Sequence, residues 1–283
     1  MKPPPFAYRR PDTVAAAVKA LQEPDAKVIA GGQSLVPMLA MRLARPAVLV
    51  DINGLDELAR IQDAAGGLRI GAAVRQRDVE TDQDVAATVP LLPAALRWVG
   101  HREIRNRGTV VGSIAHADPA AELPCVAVTL DAVLTVVGPD GIREVKAREA
   151  FVGPFQTVIE DTDLITHVTL PARAPGEGFA FHEVARRHGD FALCGVAACV
   201  RLNGDERDAA RVGVLGVGPT PALLDAGGLL VEDHDVRRAE ARRLAGDLTP
   251  SGDMHGSAGY RRRLAAVLID RAVSDAWTDA VRS

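Results

Sequence analysis

Two separated stretches constrain this chain more than anything else in it. One runs Val28-Ile29-Ala30-Gly31-Gly32-Gln33-Ser34-Leu35: an apolar strand, paired glycines, polar side chains, then a helix start. The other begins at Arg105-Asn106-Arg107-Gly108-Thr109 and continues Val110-Val111-Gly112-Ser113-Ile114-Ala115-His116-Ala117-Asp118-Pro119-Ala120-Ala121-Glu122-Leu123-Pro124. It passes from turn chemistry through a β-branched pair to a small-residue loop and a second helix start. Glycines let the main chain approach a ligand closely and adopt positive φ without a Cβ penalty. Converging amides and helix N-termini favour anions. The two stretches are read as loops closing on one phosphate-bearing ligand. Neither is a G-x-G-x-x-G at a first strand-to-helix turn, so the Rossmann mode lacks its fingerprint.

Each polar residue in these stretches has two readings. Thr109 and Ser113 can donate to phosphate or sugar-alcohol oxygens, or bond within their own loop. Glu122 can accept from hydroxyls, or serve as an acid in the first turn of a helix that Asp118 begins. His116 can sit over a ring system or be a satisfied loop histidine. The other histidines, His101, His167, His182, His188, His234 and His255, show no metal-ligand spacing, and no metal is expected.

Composition narrows the class. The chain has 283 residues and a formal net charge of −4, which argues for two domains and against a nucleic-acid binder. The arginine pairs and the triplet Arg261-Arg262-Arg263 lie among acids and read as solvated faces. Cys125, Cys194 and Cys199 form no CxxC pair. They suit neither a disulfide framework nor an iron–sulfur centre within one chain. A reduced, cytoplasmic protein is expected. The start has no apolar signal-type region, and no apolar run reaches the ~18 residues of a membrane span.

Along the chain, Asp12 is a candidate cap for a helix carrying Val14, Val18 and Leu21. Lys27 to Ala30 is a short strand, and Ser34 is a candidate cap for a helix through about Leu43. Ala47 to Ile52 reads as a strand buried on both faces, closing a β–loop–α–β unit near Gly54. Further strands are expected at Leu68–Ala72, Val133–Val137, Ile142–Lys146 and Asp163–Leu170. Helices are expected at about Arg75–Glu80, Pro90–Val99 and Glu122–Leu130. The segment Ala174-Pro175-Gly176-Glu177-Gly178 reads as the domain boundary. Beyond it, strands at Phe179–Ala185, Phe191–Leu202 and Arg211–Val217, with a turn at Asn203-Gly204-Asp205, predict an antiparallel sheet. Helices follow at about Val236–Leu244 and Ser257–Ala276, with Tyr260, Leu264, Val267 and Leu268 on one face of the latter.

Together with Gly189-Asp190-Phe191-Ala192-Leu193 and the tail Pro250 to Ser257 with Tyr260-Arg261-Arg262, the two loops resemble the FAD-binding medium subunit of molybdenum hydroxylases. Aerobic carbon monoxide dehydrogenase and xanthine dehydrogenase belong to that family. The resemblance covers essentially the whole chain. It implies an α+β fold: a two-subdomain FAD-binding unit of the vanillyl-alcohol oxidase type plus a C-terminal α/β domain. The FAD-binding domain would be residues 1–174, with subdomains of about 1–54 and 55–174, and the C-terminal domain 175–283.

The resemblance implies that FAD lies extended between the subdomains. Val28, Ile29, Ala30, Gly31, Gly32, Gln33, Ser34 and Leu35 match the first pyrophosphate loop. Thr109, Val110, Val111, Gly112 and Ser113 match the second. Gly100, His116, Glu122 and Ile165 join the cofactor set, Glu122 as an acid for the ribityl chain. His182 or Glu183 falls where relatives often carry a lysine near the flavin ring, and His182 is assigned there. No catalytic residue is implied on this chain. The partners implied are a large molybdenum-cofactor subunit and a small 2Fe–2S subunit, arranged as a dimer of heterotrimers. Two departures stand out. The family's second loop usually reads Thr-Ile-Gly-Gly-Asn, and Gln33 stands where the carbon monoxide enzymes tend to have histidine. A β-branched Val111 at positive φ would cost about 1–2 kcal/mol, so it either keeps negative φ or reshapes the loop.

The function expected is electron transfer from a partner's iron–sulfur clusters through FAD to an external acceptor. Two alternatives remain: a stand-alone flavin oxidoreductase of the same fold, with Arg186, Arg187 and His188 as its clustered substrate groups, and a nucleotide-binding or scaffold module without redox chemistry.

Overall fold

The structure is a computed structural model that describes residues 2–204 and 209–283. Asp205 of the expected turn lies outside these. Its first unit is a small parallel sheet ordered 7–9, 48–51, 26–29. Val48–Asp51 is the central strand and is buried along its whole length, as its unbroken apolar run requires. The helix Val14–Ala20 packs on this sheet. Thr13, not Asp12, caps it, its Oγ1 accepting from the Ala16 amide at 3.1 Å.

The second unit is a five-stranded antiparallel sheet ordered 61–64, 67–71, 164–171, 133–138, 141–146. Ile61–Ala64 is a strand that periodicity did not reveal, because only its Ile61 and Ala64 are apolar. The short helices Gln83–Thr88 and Val110–His116 pack on this sheet, and Gln76–Thr81, Leu91–Leu96 and Glu122–Thr129 follow the same stretch of chain. A short helix at Arg102–Arg105 was also not foreseen.

The third unit is an antiparallel meander of strands Glu177–Ala185, Ala192–Arg201, Ala209–Leu215 and Ala222–Asp225. One face of this sheet meets the helices Leu91–Leu96 and Glu122–Thr129, and the other meets Ala258–Arg282. Ala192–Val200 is therefore buried at every position. At Gly213 an added Cβ would lie 2.1 Å from the Thr129 hydroxyl and 2.9 Å from the Cys125 sulfur. Only a glycine lets the Glu122 helix settle this closely on the sheet.

The long helix Ala258–Arg282 is capped by Ser257, which accepts from the Tyr260 amide. Its inner face is the expected one in part, since Leu264 packs on the core beneath it. Leu268 is buried, but Tyr260 and Val267 are 41% and 47% exposed. The inner positions belong to Arg261, Ala265, Ile269, Ala272, Val273 and Ala276. Small residues allow close contact with the sheet, and Arg261 is accepted there because it donates to the carbonyls of Leu193 and Gly216 and to Asp253.

Candidate FAD-binding cleft

The first glycine turn connects the strand Ala26–Ile29 to the helix Leu35–Ala40. Gly32 takes φ +73°, the left-handed conformation that glycine adopts without strain. Ser34 stands at the cap position but makes no side-chain cap bond, and the helix ends at Ala40 rather than near Leu43.

The second stretch is more helical than its β-branched pair suggested. Val110–His116 is an α-helix, capped by Thr109, whose hydroxyl accepts from the Gly112 amide at 3.1 Å. The local capping bond outweighs the weak β preference of two valines. Val111 is helical, at negative φ, so the penalty of a left-handed valine does not arise. The helix ends at Ala117, φ +52°. The next helix begins at Glu122 behind Ala121, while Asp118 accepts from the Ala120 amide within the connecting turn.

The two turns meet. A Cβ added to Gly31 would lie 2.4 Å from the Arg107 carbonyl oxygen and 2.7 Å from Gly108 Cα. Asn53 and Arg75, which the sequence did not single out, brace this junction. Asn53 Nδ2 donates to the Ala30 carbonyl at 2.8 Å. Arg75 donates to Asn53 Oδ1 and to the Arg107 carbonyl, both at 2.7 Å. A planar guanidinium can span both acceptors at once. Gln76 adds a third tie through its amide to the Gly108 carbonyl at 2.8 Å.

Around this junction opens a cleft of about 1050 Å³, at the upper end of the usual range for ligand sites. Of the expected residues, the whole run Val28–Leu35 lines it, together with Gly100, Thr109, Val111, Gly112, Ser113, His116, Glu122 and Ile165. Val110 does not, being fully buried in the core. Gly189, Asp190 and Phe191 of the third unit complete one wall. Another wall, from Val152 and Phe155 to Ile165, was not anticipated beyond Ile165 itself. Its one visible signal is Phe155, an aromatic that stays 56% exposed.

His182 does not line the cleft. Strand residues alternate faces: Phe179 and Phe181 pack with the first core, while Ala180 and Val184 pack with the core under the C-terminal helix. His182 falls on the helix side, its Nε2 2.7 Å from Asp275 Oδ2. Glu183 is the residue that turns toward the cofactor-binding unit.

Electrostatics divide the cleft. Burial holds the His116 imidazole below its ordinary pKa, so it is neutral at neutral pH, and it packs on Phe155 with ring centroids 5.1 Å apart. Burial pushes the Glu122 carboxyl up to about 7, with Asp118 adding to the shift and Arg105 opposing it. Glu183 is pushed up to about 9, chiefly by burial and then by Glu122. Arg105 itself is committed elsewhere. It pairs with Glu80 at 2.9 Å and donates to the Val99 and Gly100 carbonyls, fixing Gly100 at the cleft wall. Cys125, Cys194 and Cys199 are buried, and burial pushes the three thiols up to about 12, 12 and 11.

These residues fit a dinucleotide. Two abutting glycine turns put the main chain of both stretches on one cleft, whose lining continues past both to Glu122. A parallel β–loop–α–β unit beside an antiparallel sheet, with the cleft between them and no G-x-G-x-x-G at its strand-to-helix turn, defines a flavin-dinucleotide-binding protein. The comparisons agree. Residues 4–173 match the FAD binding domain in molybdopterin dehydrogenase, and residues 179–276 match the CO dehydrogenase flavoprotein C-terminal domain. The chain is 40% identical to the alpha subunit of the 6-hydroxypseudooxynicotine dehydrogenase complex of Paenarthrobacter nicotinovorans, over 98% of this chain and 96% of that one. Quinoline 2-oxidoreductase from Pseudomonas putida 86 superposes with a TM-score of 0.92 at 37% identity, covering 99% of each chain. Carbon monoxide dehydrogenase from Hydrogenophaga pseudoflava also gives 0.92, at 33% identity and 99% of each chain. The chain belongs to the FAD-binding medium subunits of molybdenum-dependent dehydrogenases. It is a subunit of an oxidoreductase, and its cofactor is FAD. Among the described residues no helix is long and apolar enough to cross a membrane.

Proposed function

We propose that this chain is the electron-exit subunit of a three-part molybdenum hydroxylase. A large subunit carries the molybdenum cofactor and oxidises the substrate. A small subunit carries 2Fe–2S clusters, and the whole forms a dimer of heterotrimers in the cytoplasm. FAD, when bound, takes up the electrons delivered by those clusters and passes them to an external acceptor such as a quinone or oxygen. The substrate pocket then lies on another chain, so carbon monoxide, a purine or another aromatic heterocycle all suit this subunit equally.

The chain divides at about Ala174, residues 1–174 holding FAD and 175–283 closing one side of it. The main chain of Ala30–Ser34 and of Thr109–Ser113 holds the pyrophosphate, with Gly31 letting the two turns abut and Gly112 leaving room for the Thr109 cap. The hydroxyl of Ser113 and the carboxylate of Glu122 take the sugar-alcohol chain. Val28, Ile29, Leu35, Val111, Gly100 and Ile165 supply apolar walls that exclude water. Neutral His116 offers a hydrogen-bonding edge without adding charge.

The observation that carries this reading is the junction of Gly31 with Arg107 and Gly108, which turns two distant sequence motifs into one cleft. The test is native purification with metal and flavin analysis. Molybdenum, iron and FAD recovered with two further subunits are expected. A lone polypeptide containing neither metal would overturn the assignment.

A further inference from the structure

Glu122 lies at the cleft and Glu183 on the C-terminal sheet, near enough for the Glu122 charge to act on Glu183. Glu122 is 8% exposed and Glu183 6%. Glu122 opens the helix Glu122–Thr129 and lines the cleft. Glu183 lies on the strand Glu177–Ala185, on the same face as Phe179 and Phe181. Its register partner is Gly195, which presents no side chain. The Oε2 of Glu183 is buried without a hydrogen-bond partner, and no salt bridge reaches either carboxyl among the described residues.

A fully buried carboxylate without a cation or a donor is among the costliest arrangements in a protein. For Glu122 the relief is partial: its own main-chain amide and the Arg105 charge favour the ionised form, against burial and Asp118; Glu183 has neither. The helix Leu91–Leu96 brings no titratable group. The Glu122 helix brings Cys125, and the strand Ala192–Arg201 brings Cys194, both thiols held neutral by burial. Asp118 adds negative charge near Glu122, and the guanidinium of Arg105 is engaged by Glu80. Two such carboxyls titrate as a unit rather than separately.

We infer that Glu183 is a positioning residue for the cofactor site: it keeps one proton on the Glu122–Glu183 pair, so that the pair presents a single negative charge to the FAD cleft. Glu122 is the member that faces the cofactor, and Glu183 acts through it. Were both ionised, a second charge would stand unpaired beside a ligand that already carries an anionic pyrophosphate. The direction of both carboxyl shifts agrees with this arrangement.

The inference deepens the placement of Glu122 in the FAD site and rests on it, but not on the partner subunits. The experiment is an infrared titration of the FAD-loaded protein from about pH 5 to about pH 10, a window spanning both carboxyls. It compares the wild type with Glu183→Gln. One protonated-carboxyl band is expected to survive above pH about 7, to vanish near pH 9, and to be missing from the variant. In parallel, the FAD dissociation constant is expected to rise several-fold between about pH 8 and about pH 9.5 in the wild type and less than about twofold in Glu183→Gln. Absence of the band at about pH 8, or its persistence there in the variant, overturns the inference. So does a dissociation constant with the same pH dependence in both proteins. Should the variant not fold, the wild-type band with carboxyl-labelled glutamate still decides. Metal analysis of the native complex tests the partner assignment separately.

Discussion

Gly31 lies so close to Arg107 that a Cβ on it would stand 2.4 Å from the Arg107 carbonyl oxygen. Residues 76 positions apart thus share one surface, with main chain against main chain. Nothing flexible can yield there, because the atoms in the way are backbone. The cleft floor is continuous because neither partner carries a side chain into the contact.

Gly31→Ala should therefore separate the two turns. Overpacking of this kind costs about 1–3 kcal/mol. The expected outcome is a lower melting temperature together with loss of FAD on gel filtration. Gly66→Ala is the contrast. Gly66 has positive φ but open space around it, so it should strain only its own turn and leave flavin content intact.

Arg75 holds Asn53 and the Arg107 carbonyl simultaneously. Arg75→Ala should weaken FAD binding, by about 1–3 kcal/mol if the freed acceptors stay unpaired. Arg75→Lys should rescue little, since an ammonium lacks the planar fork. Fluorescence titration of the apoprotein with FAD measures both.

The carboxyl of Glu183 sets a pH dependence of stability with a definite sign. Its value is raised in the folded state, to about 9, against about 4.3 in an unfolded chain. Between these limits the folded protein holds a proton that the unfolded chain has released. Stability must then fall as pH rises from about 4.3 to about 9, and level off above. Glu183→Gln should flatten that slope and be the more stable protein at pH about 8. Urea midpoints across the range would show it, and parallel slopes in both proteins would refute it.

Arg261 should matter more than the larger apolar residues beside it. It is 8% exposed and donates to Leu193, Gly216 and Asp253. Arg261→Ala is expected to cost about 2–3 kcal/mol, as buried charge-assisted bonds do. Val267→Ser, on the exposed side of the same helix, should stay within about 0.5 kcal/mol. Denaturant midpoints distinguish the two.

Much of the fold was legible because periodicity reports burial. Val48–Val50 and Ala192–Val200 are unbroken runs without a polar side chain, and both lie in strands covered on two faces. The expected strands Val133–Val137 and Ile142–Lys146 do pair, as a hairpin closed by Gly138-Pro139-Asp140-Gly141. Val110-Val111 misled, because β-branching is a weak preference and the Thr109 cap is a specific bond. The C-terminal helix misled in part: apolarity pointed rightly to Leu264 and Leu268 but wrongly to Tyr260 and Val267, whose places are taken by alanines and a hydrogen-bonded arginine. Ile61–Ala64 was silent because its two central residues, Gln62 and Asp63, are polar.

By itself the sequence determined the chemistry of the two glycine turns, the long antiparallel strands of the C-terminal sheet, and the family, since these are written in contiguous residues. Only the tertiary structure decided that the turns touch, that Asn53 and Arg75 brace them, and that Glu183 rather than His182 faces the cofactor unit. Those facts depend on which side of a strand meets which neighbour. A one-residue step along a strand reverses the side chain's direction, and no local signal in a chain says which face another domain will cover.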